Sequence, residues 1–168
     1  VTWVAGDARD PAAIAQGLTG AQAVVWAIGM GPARKPVRLF SDSLSVLLPA
    51  MKAAGVRRLL AVTGIGAGDT RGHGGWFYDR VQQPLLLARV YEDKDRAEAL
   101  IRASDLDWTI VRPGFLTNQP ARPALNAITN PAAYRPGRIS RASVAGWMLD
   151  QIDRREFWRA SPLLINAG

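Results

Sequence analysis

The sequence predicts an α/β protein built on a doubly wound parallel sheet, and three observations carry that expectation. Short, nearly continuous apolar runs ("AVVWAIG", "RRLLAVTG", "DWTIVRPG") read as strands buried on both faces. Between them lie stretches with apolar residues at helical spacing, so strand and helix alternate along the chain. Each strand-like run stops at a glycine or a Pro-Gly pair, where a sheet strand hands over to a loop.

The first run, "VTWVAGD", is expected to be a strand that ends at Gly6-Asp7. Asp10 and Pro11 then open a helix: the carboxylate can accept from a free first-turn amide, and proline has no amide to waste there. Ile14 and Leu18 share its inner face, and Gly20 stands near its end. "AQAVVWAIG" is the next strand, ending at Gly29, and "MGPARKP" is a loop. Ser41 to Ala54 carries Leu44, Leu47, Leu48 and Met51 at helical spacing, with Gly55 as the residue that ends the helix. "VRRLLAVTG" is a strand, followed by a long, glycine-rich and partly aromatic connection. A helix from about Val90 to Ala103 turns Val90, Ala97, Leu100 and Ile101 inward. "LDWTIVRPG" is a strand stopped by Pro113-Gly114. Residues 117–138, rich in Pro and Asn, read as a loop or a small substrate-side insertion. Ser140 to Ile152 forms the last helix, burying Val144, Met148 and Ile152, and "PLLIN" is a terminal strand. No repeat or linker divides the 168 residues, so a single domain is expected over 1–168.

Composition narrows the function. The chain is 48% hydrophobic and 21% charged, which argues against disorder. It contains no cysteine, which excludes disulfides and thiolate metal sites, and no metal site is expected. No apolar run is long enough to cross a bilayer and the first residues do not resemble a signal peptide, so no membrane partner and a cytoplasmic location are expected. The formal charge is +7, with a pI near 10.7. Only Lys35, Lys52 and Lys94 are lysines, and the arginines are scattered with no basic run or aromatic-interleaved stripe. A nucleic-acid partner is therefore not expected, and the positive field fits attraction of a phosphorylated cofactor instead.

The stretch "VTGIGAGD" imitates a phosphate-binding turn. Gly64 and Gly66 supply the first two glycines after a strand, but the third position of G-x-G-x-x-G falls on Asp69. The following "DTRGHGG" is too polar and glycine-broken to open a helix toward a phosphate. Gly29-Met30-Gly31 is too short and runs into Pro32. An α/β chain with the element order of a nucleotide-binding fold thus lacks the turn that holds the phosphates.

Four stretches occur in family-like order: "VAGDARDPAAIAQGLTGAQAVVWAIG", "MKAAGVRRLLAVTGIGAGD", "ASDLDWTIVRPGFLTNQPA" and "ISRASVAGWMLDQ". Together they resemble the atypical short-chain dehydrogenase/reductases that bind NAD(P)H, near the biliverdin reductase B/flavin reductase and NmrA-like groups. The resemblance implies a Rossmann-like sheet in which the Gly-Asp motif follows the third strand. The first two strands and the glycine-rich turn would then precede Val1, and the chain is expected to be an N-terminally truncated portion of a longer reductase, inactive alone. The absent strands would lie between "VTWVAG" and "AQAVVWAIG", so these two are expected either to pair directly or to leave a marginal, aggregation-prone chain.

The resemblance also implies site residues. Asp7 would lie near the adenine, although a turn or helix cap suits an aspartate there equally well. Ala27, Ile28 and Gly29 would let the cofactor's ribose and phosphate approach the backbone, while Gly29 also suits a plain turn. Thr63 and Gly64 would face the nicotinamide, Gly64 standing where the biliverdin reductase group has serine. Tyr91 and Lys94 would be acid and cofactor contact, spaced i, i+3 in place of the superfamily's i, i+4. A solvated, salt-bridged Lys94 between Asp93 and Asp95 is the competing reading. Pro113, Gly114, Phe115 and Leu116 would pass the nicotinamide carboxamide, and Arg112 would orient that turn by ion pairing. His73 reads as a surface residue, and Trp76, Phe77, Tyr78 and Trp147 read as packing or as walls of a planar pocket. The implied activity is hydride transfer between NAD or NADP and a small organic substrate. The alternative is an NmrA-like protein that binds the dinucleotide as a signal.

Overall fold

The computed structural model describes residues 2–76 and 78–167. In chain order the elements are α1 (Pro11–Gly17), β1 (Ala23–Trp26), α2 (Leu39–Ala53), β2 (Arg58–Val62), a π-helical segment Tyr78–Leu87, α3 (Ala88–Ala103), β3 (Asp107–Pro113), β4 (Phe115–Thr117), β5 (Leu125–Ile128), β6 (Arg138–Ser140), α4 (Arg141–Asp150) and β7 (Leu163–Asn166). The central sheet has the order β1-β2-β3-β7-β5. β1, β2, β3 and β7 are parallel, and β5 runs antiparallel to β7. β4 and β6 form a separate parallel pair. The expected mixed α/β architecture with a mostly parallel sheet is present.

The strand pattern explains the two layers. On one face, Leu59 and Ala61 of β2 and Trp108 and Ile110 of β3 meet Leu44, Leu47 and Met51 of α2 and Val90, Ala97 and Ile101 of α3. On the other, Leu60 and Val111 meet Ile139, Val144, Met148 and Leu164. Alternate residues of one strand thus enter opposite cores, each fully buried leucine contributing about 1.5–3 kcal/mol. Helix ends are satisfied locally or across the fold. Asp10 caps α1 by accepting from the Ala12 amide at 3.0 Å, and Ser140 caps α4 through the Ser143 amide at 3.0 Å. At the other end of α4, the buried Arg58 guanidinium donates to the carbonyls of Gln151 and Ile152.

Three expectations are corrected. "VTWVAGD" forms no strand: residues 2–5 have no ladder partner and Trp3 is 90% exposed. An extended apolar run becomes a strand only where a neighbour takes its amides and carbonyls. The direct pairing of this segment with β1 therefore does not occur. β1 is the sheet edge, with Val25 45% exposed, and a cleft of about 400 Å³ separates its residues Ala23–Val25 from Val4 and Gly6–Ala8. Second, the 117–138 region contributes strands of its own, because Leu125, Ala127 and Ile128 find an antiparallel partner in β7. Third, the connection before α3 is not all loop, since its second half is the π-helical segment that runs straight into α3. Among the described residues, no helix is long and apolar enough to cross a membrane.

Candidate functional site at the carboxyl ends of β2 and β3

β2 delivers Thr63 and Gly64 just past its last paired residue, and the Thr63 amide stays in register by donating to the Val111 carbonyl at 3.0 Å. Gly64 has φ +145°, a backbone that disfavours any side chain. A Cβ there would lie 3.1 Å from the Tyr91 hydroxyl and 3.7 Å from the Lys94 ammonium, with no other heavy atom beyond its chain neighbours within 4 Å among the described residues. The missing side chain therefore leaves a small space flanked by a phenol and an ammonium.

α3 builds most of this site by sending consecutive polar residues to different elements. The inward stripe Val90, Ala97 and Ile101 passes through positions 93 and 94. Fully buried Asp93 accepts from the Phe40 amide at 2.8 Å and from the Ser41 hydroxyl, which caps the start of α2, a helix with no cap of its own. The Lys94 ammonium donates to the Thr63 carbonyl. It lies 5.2 Å from the ring centroid of Tyr91 and 5.5 Å from that of Phe40. Burial pushes the ammonium down to about 8, although the Glu98 carboxylate works the other way. Asp95 accepts from the Gly68 amide at 2.7 Å and pairs with Arg71.

Glu98 and Arg112 anchor the same loop from beneath. Both are nearly inaccessible, and Glu98 accepts from Arg112 Nε at 3.1 Å and from its terminal nitrogen at 2.5 Å. Glu98 also accepts from the Thr63 hydroxyl at 2.7 Å. Arg112 reaches on to Asp69 at 2.6 Å. Burial works to raise the Asp69 carboxyl, but the hydrogen bond and charge of Arg112 outweigh it and hold the group below the usual carboxylate range. So the third position of the false phosphate turn is an ion-pair anchor for the end of β3.

Two phenols complete the site. Tyr78, from the start of the π-helical segment, and Tyr91 have hydroxyls 2.8 Å apart and rings in an edge-to-face arrangement. Burial raises both phenols above their ordinary value, Tyr91 further than Tyr78. Phe115 stacks edge-on against Tyr78, with ring centroids 5.5 Å apart.

The expected site residues separate into groups. Thr63, Gly64, Tyr91 and Lys94 converge, and Phe115 joins them through Tyr78. Thr63 takes part through its carbonyl, because its hydroxyl is committed to Glu98. The i, i+3 spacing places the Lys94 ammonium over the Tyr91 ring face. Pro113 ends β3, and Gly114 is covered: a Cβ there would lie 2.5 Å from the Gly137 carbonyl oxygen and 3.0 Å from the Tyr134 hydroxyl. Ala27 and Leu116 line a different, apolar cleft of about 430 Å³ with Val25, Val62, Val144 and Met148. Ile28 packs against the α2–α3 core, and the space beside Gly29 is open. Asp7 is half-exposed and forms a turn, accepting from the Arg9 amide and pairing with its guanidinium, which holds the carboxyl near 2.

His73 is half-buried, with Nδ1 unpartnered among the described residues. Trp76 is exposed and Trp147 packs on Phe157, while Phe77 lies outside the described residues. Sequence reasoning missed Asp93, Asp95, Glu98 and the hydroxyl role of Tyr78. The signal for Asp93 was available, since it stands three residues after Val90 and four before Ala97, inside the inward stripe.

Comparison with known proteins identifies the family. Residues 1–155 match the model of the NAD(P)H-binding family. The chain belongs to that family. A relative from Bacillus subtilis (strain 168), described as the uncharacterized sugar epimerase YhfK, is 27% identical over 149 residues, covering 87% of this chain and 64% of the relative. The chain thus spans just under two thirds of that curated relative. Among solved structures, ChuY, an anaerobillin reductase from Escherichia coli O157:H7, superposes with a TM-score of 0.78 at 24% identity, over 97% of this chain and 74% of ChuY. A short-chain dehydrogenase/reductase from Veillonella parvula in complex with NADP superposes with a TM-score of 0.79 at 22% identity, over 97% and 71%. These likenesses share the Rossmann-type fold, and the NAD(P)H-binding family accords with the resemblance to atypical short-chain dehydrogenase/reductases.

The residues present suit one half of a nicotinamide dinucleotide. A half-buried ammonium beside the side-chain-free Gly64 offers donors where a ribose or carboxamide could approach the backbone. For the diphosphate, no G-x-G-x-x-G turn occurs in residues 1–168.

Proposed function

We propose that this chain forms the nicotinamide and substrate side of an NAD(P)H-dependent oxidoreductase of the atypical short-chain dehydrogenase/reductase type, acting on a small organic substrate. The convergence of Tyr91, Lys94 and Gly64 at the carboxyl end of β2 carries this reading. The bound dinucleotide would supply the hydride. The protein's own part is positioning. Lys94, fixed by the Thr63 carbonyl, has two further N–H groups to give to ribose hydroxyls. Tyr91 holds a proton at its hydroxyl beside the space over Gly64. Tyr78 packs edge-on against Tyr91, and Phe115 packs edge-on against Tyr78. Pro113–Leu116 and Ala27–Gly29 are the proposed flanking contacts for the carboxamide and the ribose-phosphate, and Asp7 for the adenine. All are proposed to belong to one domain spanning 1–168.

Titration of NADH and of NADPH, followed by nicotinamide fluorescence, tests this reading and asks which of the two is preferred. Binding by the 168-residue chain that weakens at least tenfold in Lys94→Met supports it; binding untouched by Lys94→Met removes Lys94 from the site. One observation favours a second reading, in which the dinucleotide is sensed and not turned over. The Thr63 hydroxyl is spent on Glu98, and the Lys94 ammonium faces the Tyr91 ring, so neither assists the phenol directly. Saturable NADPH binding with no consumption across quinones, flavins and carbonyl compounds, in a protein that includes a glycine-rich turn, would favour the sensor.

A further inference from the structure

Tyr78 has one proton and two acceptors. Its hydroxyl lies 2.8 Å from the Tyr91 oxygen and 3.2 Å from the Ile65 carbonyl. A phenol donates one hydrogen bond, so the Tyr78–Tyr91 pair has two arrangements. In the first, Tyr91 donates to Tyr78 and Tyr78 donates to Ile65, and both protons are used inside the protein. In the second, Tyr78 donates to Tyr91, the Ile65 carbonyl is released, and the Tyr91 proton is left over. What adjoins the Tyr91 oxygen on the free side is the space over Gly64, which a Cβ would fill at 3.1 Å. Both phenols are buried, so an unused donor in that setting is costly. The first arrangement therefore suits an empty site, and the second requires an acceptor over Gly64.

We propose that Tyr78 and Tyr91 form a reversible hydrogen-bond pair that turns around when a ligand bearing a carbonyl or carboxylate oxygen occupies the space over Gly64. The inference rests on reading Gly64, Tyr91 and Lys94 as the substrate side of the site. Tyr91 touches the ligand oxygen, and Tyr78 is a positioning residue that acts through Tyr91. The ligand oxygen accepts a hydrogen bond from Tyr91, and no proton is transferred. The Lys94 ammonium, on the same space, favours an anionic acceptor such as a carboxylate over a neutral ketone.

The chain has three tyrosines, Tyr78, Tyr91 and Tyr134, so ring-labelled protein gives three Cζ resonances that Tyr→Phe variants assign. Tyr134 shares no hydrogen bond with either phenol, so a change confined to the pair moves its resonance less than those of Tyr78 and Tyr91. Acetate and acetone serve as the probes, titrated into the 168-residue chain at neutral pH. The expected result is that acetate shifts the Tyr91 and Tyr78 resonances together with one common dissociation constant, moves Tyr134 less than either, and binds more tightly than acetone. In Tyr78→Phe, Tyr91 still responds to acetate. In Gly64→Ala, whose methyl occupies the space, the response is lost at both phenols while the Tyr134 resonance keeps its place. A shift of Tyr91 without Tyr78 overturns the paired reversal and leaves the site reading standing. No shift of Tyr91 in the wild-type chain overturns the site reading and the pair with it.

Discussion

Replacing Glu98 by glutamine removes one charge and almost no volume from the most enclosed ion pair in the site. Arg112 is 1% exposed and gives two of its nitrogens to Glu98. Its remaining ionic partner would be Asp69, whose side chain is largely exposed. Removing one member of a buried pair costs about 3–5 kcal/mol because the other charge stays behind in a poorly solvated place. The retained amide oxygen and Asp69 offset part of that, so about 3 kcal/mol is expected, out of a total stability of about 5–15 kcal/mol. With a urea dependence of about 2 kcal/mol per molar, the unfolding midpoint should fall by about 1.5 M. The double variant Glu98→Leu/Arg112→Met, with no stranded charge, should recover much of the loss. Urea unfolding followed by tryptophan fluorescence reads both. A drop smaller than about 0.3 M in Glu98→Gln would refute the argument that the pair is enclosed.

Four further outcomes are expected. Asp93→Ala takes away the side-chain cap at the start of α2 and should cost about 1–3 kcal/mol, with the Phe40 and Ser41 amides losing hydrogen-exchange protection first; unchanged protection there would count against it. Lys94, held near 8 in the fold against 10.5 when free, binds fewer protons folded than unfolded between those values. Stability relative to Lys94→Met should therefore rise as pH increases from about 8 to about 10.5 and be flat below, and a fall over that window would contradict the burial argument. Gly114→Ala drives a methyl to 2.5 Å from a backbone oxygen that cannot rotate away, so β4 and β6 should separate at a cost of about 2 kcal/mol or more, seen as faster exchange of the Phe115–Thr117 amides. Arg58→Met leaves the Gln151 and Ile152 carbonyls just past α4 without their donor and should fray Leu149–Ile152 in the same exchange experiment; full protection there would remove Arg58 from that role.

What could be read from the sequence followed from local rules. Leu44, Leu47 and Met51 announced α2, and the nearly continuous apolar runs at 59–62 and 108–111 announced a sheet covered on both sides. "VTWVAGD" shows the limit of that logic. Its composition suits a strand as well as "AQAVVWAIG" does, but strandedness belongs to a pair of segments and its partner is not specified locally. The start of α2 shows the same limit: its cap comes from Asp93, 53 positions after Phe40. The false phosphate turn could be rejected by spacing alone, yet nothing near Asp69 signals that its partner is Arg112 on another strand. Tyr91 and Lys94 could be picked out by type, whereas the hydroxyl that reaches Tyr91 arrives from a π-helical turn with no sequence pattern of its own.

Along six residues of α3, four side chains end on four different parts of the molecule: the head of α2, the tip of β2, the loop at Gly68 and, through Arg112, the end of β3. The helix is indexed like a key with four teeth. A slip by one residue turns it by roughly 100° and disengages all four at once, so gradual drift of its register is closed to evolution. The segment Tyr78–Leu87 is held differently, with Tyr78 and Gln83 reaching the carbonyls of Ile65 and Gly66 in the loop after β2, and a π-helical turn is what remains when a helix has absorbed an extra residue. Length changes should therefore accumulate among relatives before α3 and not within residues 93–98. Each one would swing Tyr78 against a Tyr91 that stays still, which would let one rigid frame be retuned for different substrates by changes in a single adjoining turn.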